Sequence, residues 1–402
     1  MSWDTCKFSS LYATPSRNGL TRPSGSRGKG YKMVNMGELF SNGRIGNIPM
    51  ELVELEDSKK EAYGVKEGDL LFARQSLVLE GAGKCSWIKE VSEYTTFESH
   101  LIRVRLNPDV AVSLFYYYYF NSPQSPIKSI VQQCAQAGIR ASDLEDLNVL
   151  CPPLPIQRRI ADILSAYDDL IENNQRQIKL LEEAAMRLYR EWFVFMRFPG
   201  HESVRIVDGV PEGWKYQELK EIADIVMGQS PDSSYYNSDG DGLPFHQGVS
   251  NYGERYVSNV EYCSVEKRSA VPNSILFSVR APVGRINLTR EKVVIGRGLA
   301  AINHKLGKQS YLFYLLKSHF SVEDMIGNGS VFSAVTKSDL EDQKLLTPSF
   351  DLVEVFSRIV EPMDAKINSL DMQIERLQKA RDALLPRLMN GGEGLKLEGG
   401  AV

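Results

Sequence analysis

A five-residue string, Ser142-Asp143-Leu144-Glu145-Asp146, returns unchanged as Ser338-Asp339-Leu340-Glu341-Asp342, 196 residues further along a chain of 402. A repeat of that period constrains the fold more than any local pattern, because both copies must belong to the same supersecondary unit. Each copy is followed by a short apolar stretch closed by proline. In the first these are Val149 to Cys151 and then Pro152, Pro153 and Pro155; in the second, Leu345, Leu346 and then Pro348. A long helical pattern follows both.

In the first pattern Ile160, Leu164, Tyr167, Ile171, Asn174, Ile178, Leu181, Ala185, Leu188 and Trp192 alternate at spacings of four and three, which is a heptad seam. The positions 196 residues later are Phe356, Val360, Met363, Ile367, Leu370, Ile374, Leu377, Arg381, Leu384 and Leu388. Because 196 is a multiple of seven, the two registers coincide. Residues 156–193 as one helix would span roughly 57 Å at about 1.5 Å per residue, far beyond an average globular helix. Solvent-type residues flank both seams (Glu172, Lys179, Glu182, Glu183; Gln373, Glu375, Lys379), which favours pairing of the helices with each other over packing on their own domains alone. Asn174, polar in an apolar seam, is suited to fixing register. Pro362 and Pro386 predict kinks in the second helix.

The stretches before the helices are related more weakly. Trp3 and Trp214 both stand near the start of a unit. Leu70-Leu71-Phe72-Ala73-Arg74 resembles Ile275-Leu276-Phe277-Ser278-Val279-Arg280, each after turn residues, and both read as a buried strand ending in an arginine. Leu114 to Phe120 and Tyr311 to Leu316 read as helices. The four tyrosines Tyr116 to Tyr119 could stack on bases, but on a helix they point in all directions, which favours core packing. From tryptophan to pentapeptide the two units differ in length, so their loops differ. Alike scaffolds with unlike loops suit alike folds with unlike binding surfaces. The fold class expected is α/β: two α/β domains alternating with two long helices, at 1–152, 153–198, 199–347 and 348–390, with a flexible tail at 391–402.

Chemistry is sparse. The five cysteines (Cys6, Cys85, Cys134, Cys151, Cys263) are scattered and never form a CxxC pair, so reduced thiols are expected and no zinc site. His100, His201, His246, His304 and His319 lack metal-ligand spacing, and no GxGxxG or Walker-type loop occurs. The start of the chain lacks a secretory pattern and no apolar stretch reaches the roughly 20 residues of a membrane span, so a cytoplasmic location and no membrane partner are expected. A net charge of −4 opposes DNA binding weakly, yet the basic residues are clustered. Arg17, Arg22, Arg27, Lys29, Lys32 and Arg44 are opposed along the chain only by Glu38. Arg280, Arg285, Arg290, Lys292, Arg297, Lys305 and Lys308 are opposed only by Glu291.

One further set of residues carries a family likeness. Pro153-Leu154-Pro155-Ile156-Gln157-Arg158-Arg159-Ile160-Ala161, then Leu188-Tyr189-Arg190-Glu191-Trp192-Phe193, Arg197-Phe198-Pro199-Gly200 and Pro211-Glu212-Gly213-Trp214, strongly resemble the central region of Type I restriction-modification specificity subunits. The order of domain, helix, domain, helix agrees over the whole chain, although the first domain fits only loosely. The resemblance implies two target-recognition domains and an antiparallel coiled coil with a pseudo-twofold internal repeat. It implies double-stranded DNA as ligand, two methyltransferase subunits as partners, and motor-nuclease (restriction/translocase) subunits added for cleavage. It implies no active site and no cofactor on this chain, S-adenosylmethionine being held by the methyltransferase partners.

On that reading Arg74 and Arg280, at strand ends, are candidates for bidentate contacts to guanine. Arg17, Arg22, Arg27, Lys29, Lys32, Arg285 and Arg297 are candidates for phosphate contacts. Gln75, Gln229, Ser230, His246 and Gln247 are polar loop candidates for base reading. Two other classes stay open: a coiled-coil scaffold without a DNA role, and a stand-alone DNA methyltransferase or nuclease with a degenerate motif.

Overall fold

The computed structural model describes residues 3–21, 27–133, 137–320 and 334–391. Its chain forms two compact units. One comprises residues 1–174 with 372–402, the other residues 175–371. Each therefore holds a globular α/β domain, part of one long helix and part of the other.

The first unit is built on a five-stranded sheet in the order Tyr12–Asn18, Leu101–Leu106, Leu70–Ala73, Cys85–Ile88, Arg44–Ile45. Its central strand is apolar at every position because both faces of the sheet are covered. Side chains alternate across a strand, so Leu70 and Phe72 join Phe8, Ile102 and the helix Ser113–Phe120 in one core. Leu71 and Ala73 join Val34, Phe97 and Leu101 in another. The tyrosine run lies on that helix, with Tyr116, Tyr118 and Tyr119 buried, so these rings are core. A three-stranded sheet, Glu51–Val53, Arg27–Val34, Thr95–Phe97, completes the domain.

The second unit repeats the plan with different trimmings. Its four-stranded sheet runs Ala223–Met227, Leu299–His304, Ile275–Ser278, Ile286–Leu288. Ile275 and Phe277 face the core that contains the helix Gln309–His319, while Leu276 faces a second core with Val293 and Ile295. A further sheet, Tyr236–Asn237, Tyr262–Cys263, Leu243–His246, Val293–Ile295, Ser269–Ala270, has no counterpart of the same size among the described residues of the first unit.

The repeated pentapeptide owes its recurrence to a shared closure. It forms the short helices Ala141–Glu145 and Lys337–Glu341, which bury Leu144 and Leu340. The chain then enters the strands Asn148–Leu150 and Lys344–Thr347, which pair antiparallel with the opening strands Thr5–Lys7 and Lys215–Glu218. The final aspartate of each copy meets a lysine on the opening side, Asp146 with Lys7 at 2.7 Å and Asp342 with Lys220 at 2.8 Å. Both pairs are exposed and mark the likeness of the units more than they stabilise it.

The same closure corrects the expectation of reduced thiols. Cys6 and Cys151 are joined as a disulfide. The pairing of Cys6 with Val149, and of the Cys151 amide with the Asp4 carbonyl, brings together residues that sequence spacing gave no reason to pair. Cys85 and Cys263 are free and buried, and Cys134 lies outside the described residues.

The first long helix runs Leu154–Tyr189 and ends in a π turn, Arg190–Val194, that buries Trp192 and Phe193. The second runs Phe350–Met389, and neither Pro362 nor Pro386 ends it. The two pack antiparallel. In the first unit Asn174 Nδ2 donates to Gln373 Oε1 at 3.3 Å, and Arg381 donates to Asp168 at 2.6 Å. Ile160 and Leu164 share a core with Leu384 and Leu388. In the second unit the Tyr189 and Trp192 rings each lie 6.0 Å from Phe356, and Ala185 packs in the same core as Val360. Of the seam positions, Ile160, Leu164, Ile171, Asn174, Ile178, Phe356, Val360, Ile367, Leu370 and Ile374 are buried. Tyr167, Leu181, Leu188, Met363, Leu377 and Leu384 are half-buried.

A matching polar constellation fastens each domain to its helices. In the first unit the Tyr118 hydroxyl donates to Asp168 Oδ2 at 2.6 Å, while Arg44, almost fully buried, reaches Asp169 at 2.5 Å and Glu172 at 3.1 Å. In the second unit the Tyr314 hydroxyl donates to Asp364 Oδ1 at 2.8 Å, and Arg255 bonds Asp364 at 2.5 Å and Glu182 at 3.2 Å. Tyr118 and Tyr314 stand 196 residues apart, as do Asp168 and Asp364. Burial first, and then the Asp168 carboxylate, drive the Tyr118 phenol far above its ordinary pKa, so it is a fixed donor. Removing one member of a buried ion pair strands the other. Asp364→Ala, which leaves Arg255 with Glu182 as its one carboxylate among the described residues, is therefore expected to cost about 3 kcal/mol of stability in equilibrium urea unfolding. A loss below about 1 kcal/mol would show that the constellation does not hold the domain.

Candidate nucleic-acid interface

The candidate residues of the second unit gather where sheet strands end. The strand Ile275–Ser278 continues as Val279, whose amide donates to the Gly298 carbonyl at 2.9 Å and whose carbonyl accepts from the Val335 amide at 2.8 Å. Arg280 then bridges to Ala334. Continuing the ladder places Arg280 and Arg297 at the same edge. In the first unit the Arg74 amide donates to the His100 carbonyl at 2.7 Å, the Arg74 carbonyl accepts from Ile139 at 2.9 Å, and Gln75 pairs with Gly138. By backbone partners, Arg74 is thus the counterpart of Val279, and Gln75 that of Arg280. This corrects the alignment of the two arginines, which was one residue out. One residue reverses the side-chain direction on a strand. Arg280 is exposed; Arg74 is half-buried and donates to the Ser99 carbonyl at 3.4 Å.

Arg280, Arg285 and Arg297 are all exposed and form no ion pair among the described residues. Beside them Ser230 Oγ donates to Gln247 Oε1 at 2.8 Å and accepts from the Arg297 amide at 3.2 Å. Gln229 and Gln247 are exposed. Three glycines permit this crossing. A Cβ on Gly228 would lie 2.2 Å from the Gly296 carbonyl oxygen, one on Gly296 2.5 Å from Gln247 Oε1, and one on Gly298 2.5 Å from the Gln247 carbonyl oxygen. His246, expected in a loop, lies on the strand Leu243–His246 and is buried, with Nε2 at 3.0 Å from Asn259 Oδ1.

In the first unit the basic segment is opposed by carboxylates from neighbouring strands and loops, which a count along the chain could not see. Arg27 lies 3.6 Å from Glu51, Lys29 3.0 Å from Glu54 and Lys32 2.7 Å from Glu93. Arg17 is exposed, with its guanidinium 5.1 Å from the centre of the Tyr63 ring. Arg22 lies outside the described residues, as does all of the tail after Gly391. Two features escaped sequence reasoning. Arg290, counted in the basic run, instead bonds Asn368 and Asp371 on the second long helix. The loop after Gln75 exposes Leu77, Val78 and Leu79, Leu77 by 89%. Among the described residues no group of histidine, cysteine and carboxylates could hold a metal ion, and no helix is long and apolar enough to cross a membrane.

Two α/β domains built alike, each carrying polar and basic side chains at strand ends and fastened to paired helices, are a DNA-specificity architecture. The type I restriction modification DNA specificity domain matches residues 18–183 and again residues 211–379, once per repeat, and the chain belongs to that family. It is 31% identical over 387 residues to a Methanocaldococcus jannaschii protein assigned as the MjaX type I restriction enzyme specificity subunit, covering 93% of this chain and 90% of that one. It is 21% identical to the HindI specificity subunit of Haemophilus influenzae, covering 89% and 93%. Its fold is similar to that of the type I restriction-modification S subunit from M. genitalium, with a TM-score of 0.64, 17% identity and 96% of each chain covered. The chain is accordingly a specificity subunit, the non-catalytic, DNA-recognising part of a Type I enzyme.

Burial holds the His246 imidazole below its ordinary pKa, and the bond to Asn259 offsets this only in part. The folded state therefore keeps His246 neutral, while the unfolded chain takes up a proton near pH 6.5. Stability from this group is present above that pH and is lost as pH falls below it. The urea midpoint is expected to drop between pH 7 and pH 5, and to drop less in His246→Gln. An equal drop in both proteins would remove His246 from the account.

Proposed function

We propose that each domain reads one half of a split, asymmetric DNA sequence, and that the helix pair fixes the length of the unread spacer between the halves. The observation that carries this reading is that the units share strands, closure and helix fastening, yet differ in the side chains at the strand ends. Arg280 stands where Gln75 stands in the other unit, and Arg285 and Arg297 form no ion pair among the described residues, whereas Arg27, Lys29 and Lys32 of the other unit each lie against a carboxylate. Arg280 and Arg74 are assigned to bases, with Gln75, Gln229 and Gln247. Arg17, Arg27, Lys29, Lys32, Arg285 and Arg297 are assigned to phosphates. The helices, through their buried seams, would present two similar docking faces to two methyltransferase subunits. Those subunits bring S-adenosylmethionine and flip an adenine in each half-site, and restriction/translocase subunits join for cleavage. Such a complex works in the cytoplasm.

Arg280→Ala is expected to weaken binding by about 1 to 3 kcal/mol and to relax selectivity in one half-site only. An equal loss on random duplex would assign Arg280 to phosphate instead. Inserting seven residues in phase after Asn174 and seven after Asp371 lengthens both helices by about 10.5 Å, or roughly three base pairs at 3.4 Å each. The spacer read by methylation mapping is expected to grow accordingly, and an unchanged spacer in a folded, active variant would refute the ruler.

A further inference from the structure

Gln247 is exposed, yet neighbouring segments hold both its backbone and its side-chain oxygen. Its backbone is held from both sides. The Gly296 amide bonds the carbonyl of His246 just before it, and the Gly298 amide bonds its own carbonyl at 3.2 Å. The missing Cβ atoms of Gly296 and Gly298 are what allow this approach. Its side-chain orientation is set by a relay. The Arg297 amide can only donate, so Ser230 Oγ accepts from it at 3.2 Å and directs its own hydrogen at Gln247 Oε1, 2.8 Å away. The opposite orientation of the amide would set its NH2 group against Ser230 and forfeit the bond that the serine hydrogen makes to Oε1. The relay therefore turns Oε1 inward and leaves Nε2 to face outward as a donor.

That orientation has a consequence for base reading. An unconstrained glutamine recognises adenine by donating to N7 and accepting from the N6 amino group. A glutamine whose oxygen is engaged and turned away loses the accepting half of that pattern. It then suits an edge that presents acceptors: guanine with N7 and O6, or thymine with O4. We propose that Ser230 is a positioning residue which, through the Arg297 amide and Gln247 Oε1, makes Gln247 a donor-only probe. The probe favours guanine or thymine at one position of the second unit's half-site over adenine, which sets the N6 donor beside its single N7 acceptor, and over cytosine, which presents the N4 donor. This rests on the reading of the second unit as a DNA-recognition domain.

The test is selection from duplexes with randomised half-sites by the full chain in complex with its methyltransferase subunits, using wild type, Ser230→Ala, Ser230→Thr and Gln247→Glu. Wild type is expected to disfavour adenine and cytosine at one position. Ser230→Ala frees Oε1 and should reduce discrimination against adenine there about tenfold, with the other half-site and the melting temperature unchanged. Ser230→Thr keeps the hydroxyl and should restore the wild-type pattern, which a loss of packing would not explain. Gln247→Glu replaces the outward donor by an acceptor and should move the preference to cytosine. An unaltered motif in both Ser230→Ala and Gln247→Glu, with wild type still selecting a split site, would overturn the proposal and leave the half-site reading intact. Uniform loss of affinity without change of motif would overturn it as well. A wild-type complex that selects no split motif would instead overturn the reading on which the proposal rests.

Discussion

A buried tyrosine, a helical carboxylate and an arginine clamp each domain to its helices, and what the domains can do for DNA depends on that clamp. In one unit the groups are Tyr118, Asp168 and Arg44; in the other, Tyr314, Asp364 and Arg255. Apolar packing can slide by a turn with little change in free energy, whereas a buried guanidinium that leaves its carboxylate is stranded. The clamp thus gives each domain a single seat on the helices. Arg381 extends the principle across the helix pair: a cation in an apolar seam, it is bonded to the same Asp168 that receives Tyr118. Asn174 and Gln373 add a second polar contact, so polar pairs across the seam favour one register of the helices.

The conserved geometry of the clamp also explains why the surfaces are free to differ. The strands that lead to the candidate base contacts are buried at every position, and the chain leaves the core only beyond them, at Arg74 in one unit and Arg280 in the other. Changing that residue, or the loop beyond it, leaves both cores intact. The second unit uses this freedom to set out Arg280, Arg285, Arg297 and Gln247, while the first shows Gln75 and the apolar loop Leu77–Leu79.

Much of the architecture was legible in the sequence, because heptads and an unchanged pentapeptide are local signals whose spacing survives folding. The seam from Ile160 to Leu188, the apolar strands at Leu70 and Ile275 and the tyrosine helix follow from periodicity alone. What was not legible depends on pairing between distant segments. Cys6 meets Cys151 through a strand register that no spacing rule supplies. Arg74 and Arg280 look equivalent in sequence, yet the ladder sets them one residue apart. The run from Arg27 to Lys32 looks unopposed until the strand Glu51–Val53 is laid beside it. The relay on Gln247 joins three segments, each unremarkable alone. The tyrosine and carboxylate of the clamp were both visible at the repeat distance; the arginines, at unrelated positions in the two halves, were not.

The most direct measurement of the central claim is a genome-wide map of methylated adenines in cells that carry this chain with its methyltransferase partners. The account predicts two unlike short motifs, one for each unit, always separated by the same number of unread bases. A single continuous motif, or two motifs at variable separation, would contradict it.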